Sequence, residues 1–383
     1  MTAIKPLRVV HVSPSDTGGG AEKGTYALHR ALRGSGVDSV MLVQRKYSID
    51  PTVLTASKDG NIISVALRDR LDRLPLRFYR HRQDTWWTVG WLHLDIANVI
   101  RELQPDVVHF HWTGRGLAPI RLVRHLREYP IAWTLRDMWP LTGGCHYSHG
   151  CERFLTGCGA CPQLSSKHSY DLSAWQWRRK RHAWDGVSIA FVVLSRWMAD
   201  YARKSPLVAD NEVCLIHTGI DLGVFRPIDR SASRLLWRLP DDRKIILFGA
   251  LRGTSDPRKG FQYFREAVRK LTAGSPNERY TCVVFGAENG PADFAPDVRY
   301  VGALNDSVSL ASLYASADVM VVPSTEENLG KTALEAMSCG TPVVAYANSG
   351  QLDIVSHQND GYLAENLSVD DLAAGIAWCL DRQ

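Results

Sequence analysis

The stretch PSTEENLGKTALEAMSCGTPVVAY, residues 323–346, decides how the rest of the chain is interpreted. It follows the apolar run 319–322, which predicts a buried parallel strand. A polar loop then leads into a helix predicted over about 329–338, which Gly340 closes. The apolar residues 343–345 predict the next strand. This succession of strand, loop, helix and strand is typical of a parallel α/β sheet.

Two carboxylates and a helix terminus occur together in this stretch. Glu327 stands just before the predicted helix, and Glu335 lies two turns inside it. Open α/β sheets bind ligands outside the carboxyl ends of their strands, so both carboxylates are expected near such a site. The first helical amides, those of Leu329, Gly330 and Lys331, would be unpaired donors at the positive end of the helix and would suit a phosphate. The alternative is a solvated ion pair between Lys331 and Glu335, four residues apart.

The same stretch resembles the signature of the retaining GT-B glycosyltransferases of the family-4 type, in which E-x7-E is followed by EAM-x-CG-x-PVVA. Glu327 and Glu335 match its two glutamates. The other matching residues are Ala336, Met337, Cys339, Gly340, Pro342, Val343, Val344 and Ala345. The resemblance implies an α/β fold with two doubly wound, Rossmann-like domains facing a cleft. It also implies a metal-independent enzyme of class EC 2.4 that transfers a sugar with retention of configuration.

The resemblance assigns roles around the two glutamates. Glu335 would accept hydrogen bonds from the nucleotide ribose, and Glu327 would hold hydroxyls of the donor sugar. The residues that would line the sugar and the phosphate are Asn328, Leu329, Gly330 and Lys331.

The diphosphate leaving group needs positive charge, because negative charge develops there during transfer. In DPRKG, residues 256–260, Lys259 matches the family's lysine on the diphosphate. Ala250 stands where the family usually has an arginine, so Arg252 is the candidate replacement, with Arg258 behind it. The alternative for each of these is a solvated loop charge. No metal is needed if Lys, Arg and a helix terminus neutralise the diphosphate.

The first domain would supply the acceptor side. Gly18, Gly19 and Gly20 follow the first predicted strand and let a ligand approach the backbone at a helix N-terminus; the resemblance implies that this turn faces the acceptor or the donor phosphate. The stretch 131–144 resembles one that reads T-L-H-D in relatives, but Arg136 replaces the histidine that touches the donor sugar. Arginine keeps a donor but cannot serve as an acid–base group near neutral pH.

His111 ends the strand DVVHFHW and is the candidate that compensates for Arg136; the alternative is a structural histidine. The predicted catalytic residues are therefore Glu327, Lys259, Arg136 and His111.

Four of the eight cysteines fall within 17 residues, in the pattern C-x5-C-x6-C-x2-C: Cys145, Cys151, Cys158 and Cys161. The cluster predicts a structural zinc site, with unligated thiols or disulfides as alternatives and with His146 and His149 as spare ligands. A similar insert occurs in bacterial relatives of the surface-polysaccharide type, which supports a structural role.

Composition and charge limit the classes of function. With 383 residues, 45% hydrophobic and 22% charged, the chain is typical of a globular protein of two or three domains. The formal charge of +5 does not by itself indicate a nucleic acid, and we expect no such partner. No apolar run reaches the roughly 20 residues of a spanning helix, and the first 13 residues do not read as a signal peptide. We expect a cytoplasmic protein without disulfides.

Two basic stretches carry aromatic residues, 68–91 and 175–184. Such interleaving suits a membrane interface or an anionic acceptor, while the alternative is a solvated helix with a few core aromatics. Peripheral contact with the cytoplasmic face of the inner membrane is therefore one of two interpretations that the sequence leaves open.

The domain change is expected near HTGIDLGVFRP, residues 217–227, which resembles the family's N-G-I-D…F-x-P linker. Residues 1–220 would form the acceptor-side domain, with the cysteine-rich insert at about 143–163. Residues 221–383 would form the nucleotide-sugar domain.

The sequence thus predicts a retaining glycosyltransferase that uses a UDP- or GDP-sugar. Its acceptor would be a glycan or a polyprenyl-diphosphate-linked glycan in polysaccharide biosynthesis, and it would need no catalytic cofactor. One alternative is a catalytically impaired GT-B protein that binds sugar nucleotides, which Arg136 favours. Another is a non-transferase GT-B enzyme such as a phosphorylase or an epimerase.

Overall fold

A computed structural model describes residues 5–56, 62–92, 96–114, 117, 120–274 and 280–382. Residues 1–4 lie outside the described residues. They belong to the first 13 residues, which are not expected to be a signal peptide. The chain divides into two compact units, Met1–His217 and Thr218–Gln383, each built on one parallel sheet.

In chain order, unit 1 contains β1 (Arg8–Ser15), α1 (Gly20–Gly34), β2 (Asp38–Arg45), β3 (Val53–Thr55), α2 (Ile62–Asp72), α3 (Ala97–Glu102), β4 (Val107–Phe110), α4 (Ile120–His125), β5 (Ile131–Leu135), α5 (Leu172–Trp184), β6 (Ile189–Val193), α6 (Arg196–Lys204) and β7 (Val213–Leu215). Short 3-10 helices span Leu74–Phe78, Trp139–Leu141, Arg153–Leu155 and Pro162–Leu164. The strands lie in the order β3-β2-β1-β4-β5-β6-β7.

Unit 2 contains α7 (Arg230–Leu236), β8 (Lys244–Gly249), α8 (Phe261–Gly274), β9 (Tyr280–Phe285), β10 (Val298–Tyr300), α9 (Ser307–Ser316), β11 (Val319–Val322), α10 (Lys331–Ser338), β12 (Val343–Tyr346), β13 (Gly361–Ala364) and α11 (Val369–Leu380). Its 3-10 helices span Pro257–Lys259 and Ser349–Asp353. The strand order is β10-β9-β8-β11-β12-β13.

Both sheets are covered by apolar contacts on their two faces. In β8, Ile246 and Phe248 pack on one side with Phe264, while Ile245 and Leu247 pack on the other, and all four strand residues are buried. Side chains of a strand alternate between faces, so a fully apolar strand such as this needs cover on both. The predicted α/β class with two doubly wound sheets is confirmed. Among the described residues, no helix is long and apolar enough to cross a membrane.

The order of each sheet reverses between two central strands, β1 and β4 in unit 1 and β8 and β11 in unit 2. Loops leaving these strands at their carboxyl ends diverge to opposite faces, which opens a crevice where ligands of such sheets bind. The residues after β1, β4, β8 and β11 therefore define the two candidate sites.

Some elements differ from the sequence prediction. The helix expected from about Leu329 begins at Lys331, because Gly330 holds a non-helical backbone with φ −68° and ψ 83°. The short strands β3, β10 and β13 and the helix α7 were not predicted. These elements are short, and none of them is marked by an apolar run as clear as the one at 319–322 that predicted β11.

Candidate functional site

In unit 2, the turn that follows β8 packs against the loop that follows β11. Gly260 makes this possible: its φ is +73°, and a Cβ there would lie 2.0 Å from the carbonyl oxygen of Pro323. The amide of Thr325 donates to the carbonyl oxygen of Arg258 at 2.9 Å. Only glycine tolerates both the left-handed backbone and this close approach, and the contact brings the basic turn beside Glu327.

Arg258, Lys259 and Glu327 form a compact ion cluster. Lys259 Nζ lies 2.6 Å from Glu327 Oε2, and Arg258 Nη1 lies 2.9 Å from the same oxygen. Arg258 also donates to the carbonyl oxygen of Glu326 at 2.8 Å. The three side chains are only 11–18% exposed, so one carboxylate oxygen contacts two largely buried cations. Arg258 also pairs with Asp256 at 3.4 Å.

This cluster shifts the pKa values of its members. Burial alone would raise the pKa of Glu327, but the charges of Lys259 and Arg258 outweigh it and lower the pKa to about 2. Burial lowers the pKa of Lys259, and the charge of Glu327 opposes that shift. Glu327 is therefore ionised at neutral pH and holds both cations in place.

Glu335 sits inside α10 with its side chain 6% exposed. The hydroxyl of Tyr314 donates to Oε2 at 3.0 Å, and Lys331 Nζ lies 3.2 Å from Oε1. The ion pair that the spacing allowed is therefore formed. Burial and Glu335 together raise the pKa of Tyr314 well above its ordinary value, so its hydroxyl remains a donor.

The predicted loop 328–331 lies at the N-terminus of α10. Gly330 is the residue before the helix, and the Leu334 amide is the first that donates back to it. The amides without an intrahelical acceptor are therefore those of 330–333, so the predicted set 329–331 begins one residue too early. Asn328 is buried and Leu329 half-buried. The loop is anchored by Ser349, whose Oγ accepts from the Glu327 amide at 2.8 Å.

Gln351 was missed from the sequence, where nothing marks it. It is fully buried, and neither atom of its amide group has a partner among the described residues. A Cβ at Gly330 would lie 2.6 Å from its Oε1. A buried amide without partners is costly, and this one lies beside the positive end of α10. Arg252, in contrast, is exposed in the turn after β8, with a left-handed φ of 58°.

In unit 1, the turn after β1 carries Gly18 and Gly20 exposed, and Gly19 precedes α1 with an extended backbone. Arg136, just after β5, lies against this helix: a Cβ at Gly24 would be 2.9 Å from its Nη1. Burial lowers the pKa of Arg136 to about 10, while Glu22 opposes that shift. Its Nε has no partner among the described residues.

His111 lies behind Arg136 in a buried cluster with His11 and His109. His11 Nδ1 is 2.9 Å from His111 Nε2, and the rings of His109 and His111 are 4.1 Å apart. Burial lowers all three pKa values, that of His109 to about 3, with Arg136 contributing to each. His111 is 1% exposed and neutral. One ligand atom from each imidazole lies within 4.8 Å of the others, but the tilted stacking and the nearby guanidinium charge disfavour a cation.

The four clustered cysteines line one small cavity in unit 1. The two predicted spare ligands do not join them there. His146 Nδ1 is 2.5 Å from Asp137 Oδ2, and its Nε2 is 2.7 Å from Thr88 Oγ1, while His149 is exposed. All three residues of this Asp–His–Thr arrangement are buried, and their hydrogen bonds fix the chain locally.

Two family models match the chain. The model of Glycosyltransferase Family 4 matches residues 18–224, and that of Glycosyl transferases group 1 matches residues 242–382. The D-inositol 3-phosphate glycosyltransferase of Mycolicibacterium smegmatis is 34% identical over 399 residues, which cover 98% of this chain and 82% of the relative. The protein of the same name from Mycobacterium tuberculosis is 29% identical over 371 residues, covering 90% and 68%.

Solved structures show the same fold. Sucrose-phosphate synthase from Thermosynechococcus elongatus superposes with a TM-score of 0.66 at 20% identity, covering 98% of this chain and 91% of that one. HepE of Anabaena, solved with UDP and glucose, gives 0.65 at 16% identity, covering 98% and 90%. WaaG, a glycosyltransferase involved in lipopolysaccharide biosynthesis, gives 0.62 at 16% identity, covering 97% and 90%. At these identities the likeness concerns the fold alone.

Proposed function

The chain belongs to the group 1, family 4 glycosyltransferases of GT-B fold, and on this premise we propose that it transfers a sugar from a UDP- or GDP-sugar to a glycan or polyprenyl-diphosphate-linked acceptor. The transfer would retain configuration, require no metal, and serve the assembly of a surface polysaccharide. Residues 221–383 would bind the donor, and residues 1–220 would bind the acceptor.

The ion cluster of Arg258, Lys259 and Glu327 carries this proposal. Two largely buried cations share one carboxylate, at the end of two central strands. A donor diphosphate brings more negative charge than one carboxylate, so it would take over Lys259 and Arg258 and release Glu327. The released carboxylate would then accept hydrogen bonds from the hydroxyls of the donor sugar. The cations would stabilise the leaving diphosphate, where charge develops.

The other donor contacts follow from the same geometry. Glu335 would exchange its contact with Lys331 for the ribose hydroxyls and keep Tyr314 as a donor. The amides at the start of α10 and the Gln351 amide would bind the phosphate or the sugar, alongside the loop residues 328–331. Arg252 would close over the diphosphate from its exposed turn.

On the acceptor side, we propose that Gly18, Gly19 and Gly20 leave room for the acceptor at the N-terminus of α1. Arg136, with its Nε unpartnered among the described residues, would donate to an oxygen of a substrate. His111 would act through Arg136, whose charge helps to lower the pKa of its imidazole. The cysteine loop would be structural.

We also propose that the protein works in the cytoplasm, at the surface of the membrane. A surface hollow of about 350 Å³ is lined by Arg121, Arg124, His125, Arg179 and His182. Beside it, Trp175 is 45% exposed and Tyr170 is 78% exposed. Cationic and aromatic side chains together suit an anionic lipid interface.

A second candidate acceptor is a small phosphorylated polyol, favoured by the 34% identity to an inositol 3-phosphate glycosyltransferase. The remaining alternative is a protein that binds sugar nucleotides without transfer, favoured by Arg136.

One experiment separates these proposals. The purified chain and its Glu327→Ala variant are incubated with UDP-, GDP- and ADP-sugars, alone and with inositol phosphate or lipid-linked glycans. Release of nucleotide from one donor, accelerated by one acceptor and lost in the variant, identifies the reaction. Donor binding without release under every condition would contradict transfer and support the binding protein.

A further inference from the structure

The segment that carries the four clustered cysteines has little regular structure. Between Leu141 and Leu172 it forms two 3-10 helices and an isolated bridge from Cys145 to Trp87, with no α-helix. The backbone turns through left-handed conformations at Cys158 and Ala160. A stretch of this length inside a compact unit usually needs a cross-link or a ligand to hold it.

The thiols converge on one place. Cys145, Cys151, Cys158 and Cys161 all line a cavity of about 20 Å³, which is room for one water-sized sphere. The other four cysteines of the chain are elsewhere. Because His146 is bound by Asp137 and Thr88, the ligand set at this cavity consists of sulphur alone.

A backbone amide points at one of these sulphurs. The Gly143 amide donates to Cys158 Sγ at 3.2 Å. Hydrogen bonds of this kind stabilise a thiolate over a thiol, and they orient sulphur ligands in metal sites. The amide of Leu164 donates to the carbonyl oxygen of Cys161 at 3.2 Å and so holds the turn that follows this cysteine.

A buried cation lies next to the same thiols. Lys180 of α5 is fully buried, and its Nζ donates to the carbonyl oxygens of Trp139 and Thr142. Among the residues that the structure describes, no carboxylate lies within ion-pair distance of it. The acidic groups that act on it most strongly are the thiols of Cys158 and Cys145. A buried ammonium without a counter-charge is costly.

From these contacts we propose that Cys145, Cys151, Cys158 and Cys161 bind one zinc ion as thiolates, with Lys180 as the buried counter-cation. Four thiolates on Zn²⁺ leave a net charge of −2 on the site. This charge would be the counter-charge that no carboxylate among the described residues provides to the buried Lys180 ammonium. On binding, four Zn–S bonds replace four S–H bonds, and the protons pass to solvent. Four protein ligands close the coordination sphere, so the ion is structural and takes no part in transfer.

Binding requires the sulphurs to move inward. Zinc holds each thiolate at about 2.3 Å from the ion. Among the described residues, the group whose ligand atoms all lie within 4.8 Å of one another is the histidine cluster, so the four cysteine sulphurs do not all lie that close together. The four sulphurs therefore have to approach one another when the ion binds.

The test uses the full chain, purified under reducing conditions without chelator, with its metal content measured by mass spectrometry. We expect about one zinc per chain, retained in the control Cys214→Ser, whose cysteine lies in β7, and lost in Cys158→Ser. Lys180→Met should retain the fold but release zinc to a chromogenic chelator at least tenfold faster, because the counter-charge is gone.

A second measurement needs no variant. The wild-type chain exchanged with Co²⁺ should show thiolate-to-cobalt charge transfer and the ligand-field bands of a tetrahedral site. Wild-type protein that holds no zinc and gives no such spectrum overturns the proposal. So does zinc that persists undiminished in Cys158→Ser, or disulfides among the four cysteines after reducing purification.

Discussion

At the scale of single residues, one carboxylate oxygen does most to organise the candidate site of unit 2. Glu327 Oε2 contacts both Lys259 and Arg258, and its backbone amide and carbonyl bind Ser349 and Gly350. Its position is thus fixed from both sides. A carboxylate held in this way stands in the place where a diphosphate would be expected, so removing it changes binding, turnover and stability together.

Glu327→Gln should lower kcat/KM by roughly a hundredfold, since a neutral amide cannot hold the donor sugar as a carboxylate does. Binding of the free nucleotide should weaken little, because Lys259 and Arg258 remain. Steady-state kinetics and calorimetry measure the two effects. The control is Glu288→Gln, an exposed residue of unit 2. Equal activity of both variants would contradict the role of Glu327.

The lowered pKa of Glu327 also predicts that the stability of the fold depends on pH. Its pKa is lowered from 4.5 to about 2 in the folded chain, so its ionised form stabilises the fold. That contribution is complete above about pH 4.5 and is lost as the pH falls towards 2. Glu327→Gln should be less stable than wild type at pH 7, and the gap in denaturant midpoint should narrow at pH 3. A gap that stays constant with pH would argue against a depressed pKa.

At the scale of elements, the start of α8 positions the basic turn. Gly260 allows the chain to leave the 3-10 helix Pro257–Lys259 in a left-handed conformation and to touch the loop after β11. The same kind of contact recurs at Gly350, where a Cβ would lie 1.8 Å from the Asn328 carbonyl oxygen. Gly260 and Gly350 therefore allow the loop that carries Glu327 to pack closely against the backbone of the segments on either side of it.

Gly260→Ala should destabilise unit 2 by more than about 2 kcal/mol, because a left-handed alanine is strained and its Cβ has no room. Donor binding should fall with it. The matched control is Gly274→Ala at the other end of the same helix, where a Cβ meets nothing within 4 Å. That variant should be neutral or slightly stabilising. Chemical denaturation compares them, and equal midpoints would refute the argument.

At the scale of the whole molecule, each unit repeats one plan, a parallel sheet whose order reverses at its first strand. Within unit 1, the surface formed by α4 and α5 is basic, and the exposed Arg121, Arg124 and Arg178 lie on it. Charge of this kind draws a protein to anionic lipid without any spanning segment.

Replacing Arg121, Arg124 and Arg178 together by glutamine should lower partitioning onto phosphatidylserine vesicles roughly a hundredfold, at about 1 kcal/mol for each charge. Neutral vesicles should bind neither protein. The control is the double variant Arg203→Gln with Lys204→Gln, which removes basic charge from α6 instead. Sedimentation with vesicles measures the partitioning. Unchanged binding of the triple variant would place any membrane contact on another surface.

The sequence by itself determined the α/β class and the central strands. It also showed that Glu327, Glu335 and Lys259 follow the carboxyl ends of such strands. These follow from local patterns, because apolar runs, glycine turns and a family signature lie within short windows. Only the tertiary structure decided that Lys259 and Arg258 share one oxygen of Glu327, that Gln351 faces Gly330, that His111 is buried, and that Lys180 lies beside the cysteines. Each of these joins residues 21 to 100 positions apart, or depends on burial. Such contacts are set by how the sheets pack, which no local pattern specifies.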